Sequence, residues 1–287
     1  MNNPDEAERP LQIVTTCRAY DLAVLEIALP KLRANLPFKQ LSVIAPDGDC
    51  EKMRRRLGAQ VRLIPEDEFI PGMNIRELRR CARFGFPKNA GWYFQQFLKL
   101  QFAFVEPADD FYLIWDADTI PLRPLRFFDA AGRMLLTKAA EYHAPYFETY
   151  RRLFRAEPNR EFSCIAQHML VQKSIAREML GRIAPAAGNE PWAWRIMEAL
   201  PPRENLHLFS EFETYGHYVK NFHPERVAFV ERSWRRWFDS DPGGGKIPNE
   251  RDLNQLAHDY EFVCFEKTTR GWRYLAKHVL KKILKIK

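Results

Sequence analysis

Two aspartates, Asp116 and Asp118, close the apolar run Phe111-Tyr112-Leu113-Ile114-Trp115 with one alanine between them. Successive side chains of a strand alternate faces, so both carboxylates leave the strand end on the same side. Adjacent carboxylates repel unless a proton or a cation sits between them. A hard divalent ion with oxygen ligands, Mg2+ or Mn2+, fills that role and would in turn hold a diphosphate. Asp-x-Asp occurs twice more, at Asp47-Gly48-Asp49 and Asp239-Ser240-Asp241. Those copies sit among Gly and Pro and read as loops held by Asx hydrogen bonds. Only the middle copy follows a buried type of strand, and ligands of open α/β sheets bind beyond the carboxyl ends of strands.

Other chemistry-bearing residues lie on either side of this pair. A helix over 92–105 is apolar nearly all round and reads as buried. Gln95, Gln96 and Lys99 interrupt it, with Gln95 and Lys99 one turn apart on one side. A lysine there needs an anionic partner or must snorkel to the surface. Later, Ser210 followed three residues on by Glu213 is a capping-box pattern that opens a helix. Glu211 in the same first turn complements the helix dipole, and a carboxylate so placed beside a cleft can also act as a general base. Arg79, Arg80 and Arg83 cluster in an irregular polar stretch, either as a solvated face or as cations for phosphate. Trp92, Trp192, Trp194, Trp234 and Trp237 could stack on sugars, although tryptophan more often fills cores.

The elements that must position these groups alternate. Strands are expected over 11–16, 41–45, 61–64, 111–115, 134–137, 162–171, 227–230 and 262–265. Helices are expected over 22–36, 51–57, 92–105, from Ser174, around Trp192 and from Glu211. Such alternation predicts a mixed, mainly parallel α/β sheet flanked by helices.

The chain has 287 residues, 46% of them hydrophobic, enough for one large domain or two small ones. No signal-peptide core and no apolar run of about 20 residues is present, so a cytoplasmic protein is expected. Five scattered cysteines without a Cys-x-x-Cys pair predict reduced thiols, and neither a disulfide frame nor a zinc site. From Arg270 onward there are seven basic residues and no acidic one, which accounts for the whole net charge of +7. The rest is near neutral, which argues against a nucleic-acid binder. Apolar residues Trp272, Leu275, Ala276, Val279, Ile283 and Ile286 recur at helical spacing in this tail. A basic amphipathic helix over 269–287 is therefore expected, docking on an anionic membrane surface at its inner face or packing on its own domain. Residues 1–10 form a polar terminus and 11–268 the catalytic domain.

Taken together, these motifs resemble the GT-A-fold superfamily of nucleotide-sugar glycosyltransferases. The strand and loop near residue 15, Gly91-Trp92-Tyr93-Phe94-Gln95-Gln96-Phe97-Leu98-Lys99-Leu100, Trp115-Asp116-Ala117-Asp118-Thr119, Gln167-His168-Met169 and the 210–216 segment are similar to a bacterial subgroup of it. The resemblance implies a sugar transfer, of hexosyltransferase type, from a nucleotide-sugar donor to a glycan or lipid-linked acceptor in surface-polysaccharide assembly. It implies Mn2+ or Mg2+ on Asp118 with Asp116, which holds the metal or the ribose. Thr15, Arg18 and Asp21 would contact the nucleotide, and Gln95 and Lys99 the donor sugar or diphosphate. Glu211 or Glu213 would be the base of an inverting reaction, slightly favoured over a retaining one. The late metal-binding histidine motif of the superfamily is missing; His217, His223 and His258 stand in that part of the chain. Two rival readings are a haloacid-dehalogenase-like phosphatase using Asp116 and Asp118, and a non-catalytic sugar-binding protein. The first would place its Asp pair near the N-terminus, which is not the case here.

Overall fold

The computed structural model describes residues 10–81, 89–106, 110–184, 191–201, 207–238 and 248–266. The chain forms two compact units. The first comprises residues 1–19, 36–116 and 126–232, the second residues 20–35, 117–125 and 233–287.

The core of the first unit is a five-stranded sheet. Its strands are β1 (Leu11–Thr16), β2 (Phe38–Ala45), β3 (Val61–Pro65), β4 (Phe111–Trp115) and β7 (His168–Gln172), in the order β3-β2-β1-β4-β7. The first four run parallel and β7 runs antiparallel to β4. This is the mainly parallel α/β sheet expected from the alternating pattern. β1, β4 and β7 are buried along nearly their whole length, as strands covered on both faces must be. A two-stranded parallel pair, β6 (Met134–Thr137) with β8 (Val227–Val230), completes the sheet structure of this unit.

Seven helices among the described residues belong to the same unit: α2 (Asp47–Leu57), α3 (Ile75–Arg80), α4 (Ala90–Gln101), α5 (Ala144–Phe154), α6 (Lys173–Ile183), α7 (Trp192–Ala199) and α8 (Glu211–Phe222). α2 starts at Asp47, so the first Asp-x-Asp copy is a helix N-terminus and not the expected loop. Both aspartates complement the dipole there. α3 lies in a stretch read as irregular. Asn74 and Glu77 form a full capping box that starts it, and only Ile75 and Leu78 are buried, too short a stripe to register as periodic. α4 ends at Gln101, and a 3-10 turn over Phe102–Phe104 finishes the segment expected to be helical to 105.

The strand expected over 162–171 contracts to β7. Before it, the Ile165 N–H donates to Ser163 Oγ and the Ala166 N–H to the Cys164 carbonyl. Gln167 then takes a left-handed conformation at φ 64, uncommon for a residue other than glycine. These turns interrupt the extended run that the apolar sequence implied.

The second unit contains α1 (Leu22–Asn35), α9 (Glu250–Leu256) and a three-stranded sheet, β5 (Thr119–Pro121), β10 (Phe262–Glu266) and β9 (Trp234–Phe238), in the order β5-β10-β9. Trp234 stacks on Phe262 with centroids 5.4 Å apart, and Trp237 on Phe265 at 5.5 Å. Both tryptophans are therefore cross-strand partners within this sheet. No helix among the described residues is long and apolar enough to cross a membrane. The basic segment 269–287, Arg83 and the third Asp-x-Asp copy lie outside the described residues.

Candidate active site at the strand-order reversal

The order of the large sheet reverses between β1 and β4, because β2 and β3 continue on one side of β1 and β4 begins the other. In open α/β sheets, the carboxyl ends of the strands flanking such a reversal form the crevice where ligands bind. Val14 of β1 faces Ile114 of β4. Two residues further along come Thr16 on one strand and Asp116 on the other. The Asp116 backbone N–H donates to the Gln167 carbonyl at 3.0 Å, so the left-handed residue before β7 fixes the end of β4.

Lys99, near the end of α4, supplies what the apolar helix could not. Its Nζ lies 2.5 Å from Asp116 Oδ1 and 2.9 Å from Glu211 Oε1, and the residue is only 3% exposed. The Phe212 ring sits 4.9 Å from the same ammonium. Gln96, three residues earlier, accepts a hydrogen bond from the Glu211 backbone N–H at 3.0 Å and donates to the Trp92 carbonyl. α4 thus grips the first turn of α8 through both an ion pair and a backbone hydrogen bond. Of the two outcomes the sequence left open for Lys99, an anionic partner or a path to the surface, the fold gives it two carboxylates. Its neighbour Gln95 is half-buried, and it is Gln96 that does the positioning.

One ammonium is shared by two carboxylates, one of them fully buried. Burial works against the charge of Lys99, but Asp116 and Glu211 outweigh it and hold its pKa above the ordinary lysine value. Burial raises the pKa of Glu211; Lys99 opposes that rise and Asp116 adds to it. Two carboxylates to one ammonium, with the Asp116 side chain 19% accessible, fit a site that can take a further cation.

Glu213 is placed differently. Ser163 Oγ donates to its Oε1 at 2.5 Å and the Cys164 N–H to its Oε2 at 3.1 Å, while its own N–H is capped by Ser210 Oγ at 3.2 Å. The N-cap read from the sequence is therefore present, and the Glu213 carboxylate ties α8 to the turn before β7. None of the sequence patterns pointed to Ser163 or Cys164 as its partners.

Thr15 is buried at the end of β1, with its hydroxyl on the Thr16 carbonyl. Arg18 pairs with Glu66 at 2.8 Å. Burial raises the pKa of Glu66, and Arg18 offsets part of that rise. Glu66 follows β3 with nothing in the local sequence to distinguish it. In the second unit, the Asp21 carbonyl accepts the N–H groups of Val24 and Leu25 at the start of α1. The Asp118 carbonyl accepts the Phe265 N–H at 2.9 Å, and its carboxylate accepts the Thr119 hydroxyl at 3.5 Å. The boundary between the units falls between Asp116 and Ala117.

Fold and site define an open-sheet α/β protein whose buried charges gather at the reversal of strand order. The chain belongs to a family of unknown function (DUF6492), whose model matches residues 14–239. Among curated proteins nothing matches this chain. Among solved structures, it is similar to mouse xyloside xylosyltransferase 1 in its apo form, at 14% identity and a TM-score of 0.46, covering 89% of this chain and 97% of that one. It is also similar to the galactosyltransferase LgtC in complex with donor and acceptor sugar analogs, at 13% identity and a TM-score of 0.44, with 89% and 87% covered. The apo bifunctional glycosyltransferase WbbM matches at 9% identity and a TM-score of 0.47, with 92% and 47% covered. Likenesses this distant add no weight to the residues themselves.

Proposed function

We propose that this protein is a metal-dependent glycosyltransferase of GT-A type that moves a sugar from a nucleotide-sugar donor to a glycan or lipid-linked acceptor. The observation that carries the reading is the Lys99–Asp116–Glu211 cluster at the carboxyl end of β4, beside the end of β1 at the strand-order reversal. The donor nucleotide would lie along the β1 end, near Thr15 and Arg18. Asp116 and Asp118 are the residues we assign to Mn2+ or Mg2+. The hard oxygen donors suit such an ion, which when bound would stabilise the charge that develops on the leaving diphosphate.

Lys99 is a positioning residue in this reading. It neutralises part of the carboxylate charge and fixes Asp116 Oδ1, so Asp116 meets its ligand pre-oriented. Proton acceptance from the acceptor hydroxyl is assigned to Glu211, whose raised pKa makes it the stronger base. Glu213 is the weaker candidate because both its oxygens already accept hydrogen bonds. An inverting mechanism goes with that assignment; transfer of a hexose, in surface-polysaccharide assembly, completes the proposal.

The decisive test is isothermal calorimetry with nucleoside diphosphates and nucleotide sugars, with and without Mn2+, on the wild type and on Asp118→Ala. One base should bind only with metal present, and at least about tenfold more weakly in the variant. Absence of binding to every nucleotide with either metal would remove the transferase reading.

A further inference from the structure

A second cluster contains none of Lys99, Asp116 and Glu211. Cys164 Sγ, a Glu213 carboxylate oxygen and a His217 ring nitrogen all lie within 4.8 Å of one another, and all three residues are buried. Glu213 and His217 occupy successive turns of α8, and Cys164 comes from the turn before β7. One thiol, one carboxylate and one imidazole are a ligand set for a borderline-soft divalent ion, with zinc the common occupant.

His217 supplies a second, independent observation. It is 0% exposed, and among the described residues neither of its ring nitrogens makes a hydrogen bond. Nε2 approaches Glu213 Oε2 to 2.9 Å, but out of line for a hydrogen bond. Phe147 and Tyr150 pack around the ring, with centroids at 5.7 and 5.8 Å. A buried imidazole whose Nδ1 makes no hydrogen bond and whose Nε2 meets a carboxylate only out of line carries a desolvation cost that packing alone does not offset.

The backbone is shaped to bring the thiol in. At Gly216 an added Cβ would stand 2.4 Å from Cys164 Sγ and 2.8 Å from Cys164 Cβ. Any larger residue there would push the sulfur off α8. Glycine is a poor helix residue, so its presence here fits this close approach. Charge also balances: a thiolate and a carboxylate together neutralise a divalent cation, leaving no net charge buried.

Against the sequence expectation of no zinc site, we propose that Cys164, Glu213 and His217 form a three-ligand zinc site that joins the turn before β7 to α8. On binding, the Cys164 sulfur loses its proton to solvent as the zinc–sulfur bond forms, and His217 coordinates as the neutral imidazole. The ion is distinct from the hard cation assigned to Asp116 and Asp118.

The test uses full-length protein produced in zinc-supplemented medium and analysed for bound metal by mass spectrometry. About one zinc per chain is expected, retained in Asp118→Ala and lost in Cys164→Ser and His217→Gln. Cobalt in place of zinc should give a thiolate-to-cobalt charge-transfer band in the wild type, a readout that requires no variant to fold. Metal-free wild type that binds neither ion, or zinc retained in both cluster variants, would overturn the proposal. Loss of zinc in Asp118→Ala alone would do the same, by assigning the metal to the other pair.

Discussion

At the scale of single residues, Lys99 concentrates the electrostatics of the candidate active site. It is a cation at 3% exposure that satisfies two carboxylates on separate elements. Removing one partner of a buried ion pair costs about 3–5 kcal/mol, because the remaining charge is left without compensation. We therefore expect Lys99→Met to lower the unfolding free energy by roughly that amount, measured by urea denaturation. The double variant Lys99→Met with Glu211→Gln should recover part of the loss, since it removes one orphaned charge. An unchanged single variant would show that the cluster is better solvated than its burial implies. Neither Glu66, which balances Arg18, nor Gln96, which holds the Glu211 N–H, could be recognised as a partner without the fold. Their sequence neighbours carry no mark of contacts made across the chain.

At the scale of elements, β7 places a histidine where water cannot reach it. His168 Nε2 lies 3.0 Å from Thr137 Oγ1 of β6, and the ring stacks on Trp115 of β4 at 5.2 Å. Burial, with a smaller contribution from Arg232, lowers its pKa to about 3. The unfolded chain takes up a proton near the ordinary value of about 6.5, which the folded chain refuses until about 3. Stability is therefore lost as pH falls through that window, and is unaffected by this group above it. Between pH 7 and pH 5 the loss from this one group is about 2 kcal/mol. Denaturation of wild type and His168→Phe at both pH values checks it: the pH-dependent difference should shrink by about that much in the variant, whatever its stability at pH 7. An identical difference in both proteins would mean that the ring is protonated in the fold.

At the scale of the whole molecule, the charge is uneven. The seven basic residues from Arg270 onward carry the net charge of +7, and the remainder balances. We propose that this segment holds the protein on an anionic membrane surface, placing it where a lipid-linked acceptor would be. Each basic residue near such a surface contributes about 1 kcal/mol. Deleting residues 270–287 should abolish sedimentation with vesicles of anionic phospholipid at low salt, and leave nucleotide binding in solution unchanged. Equal sedimentation of both proteins would dispose of the membrane role.

The sequence by itself determined the main elements of the large sheet, the buried helix with its lone lysine, the Ser210 cap and the acidic pair after β4. Each of these rests on local periodicity or a short-range hydrogen bond, and needs no knowledge of distant partners. Tertiary structure decided which groups meet. It brought Glu211 to Lys99, tied Glu213 to Ser163 and Cys164, and set His217 beside a thiol far away in sequence. It also made Trp234 and Trp237 partners of β10 in a sheet, where the sequence left them open to sugar stacking. Pairings of this kind depend on strand order and helix packing, which join residues whose own neighbourhoods hold no trace of each other.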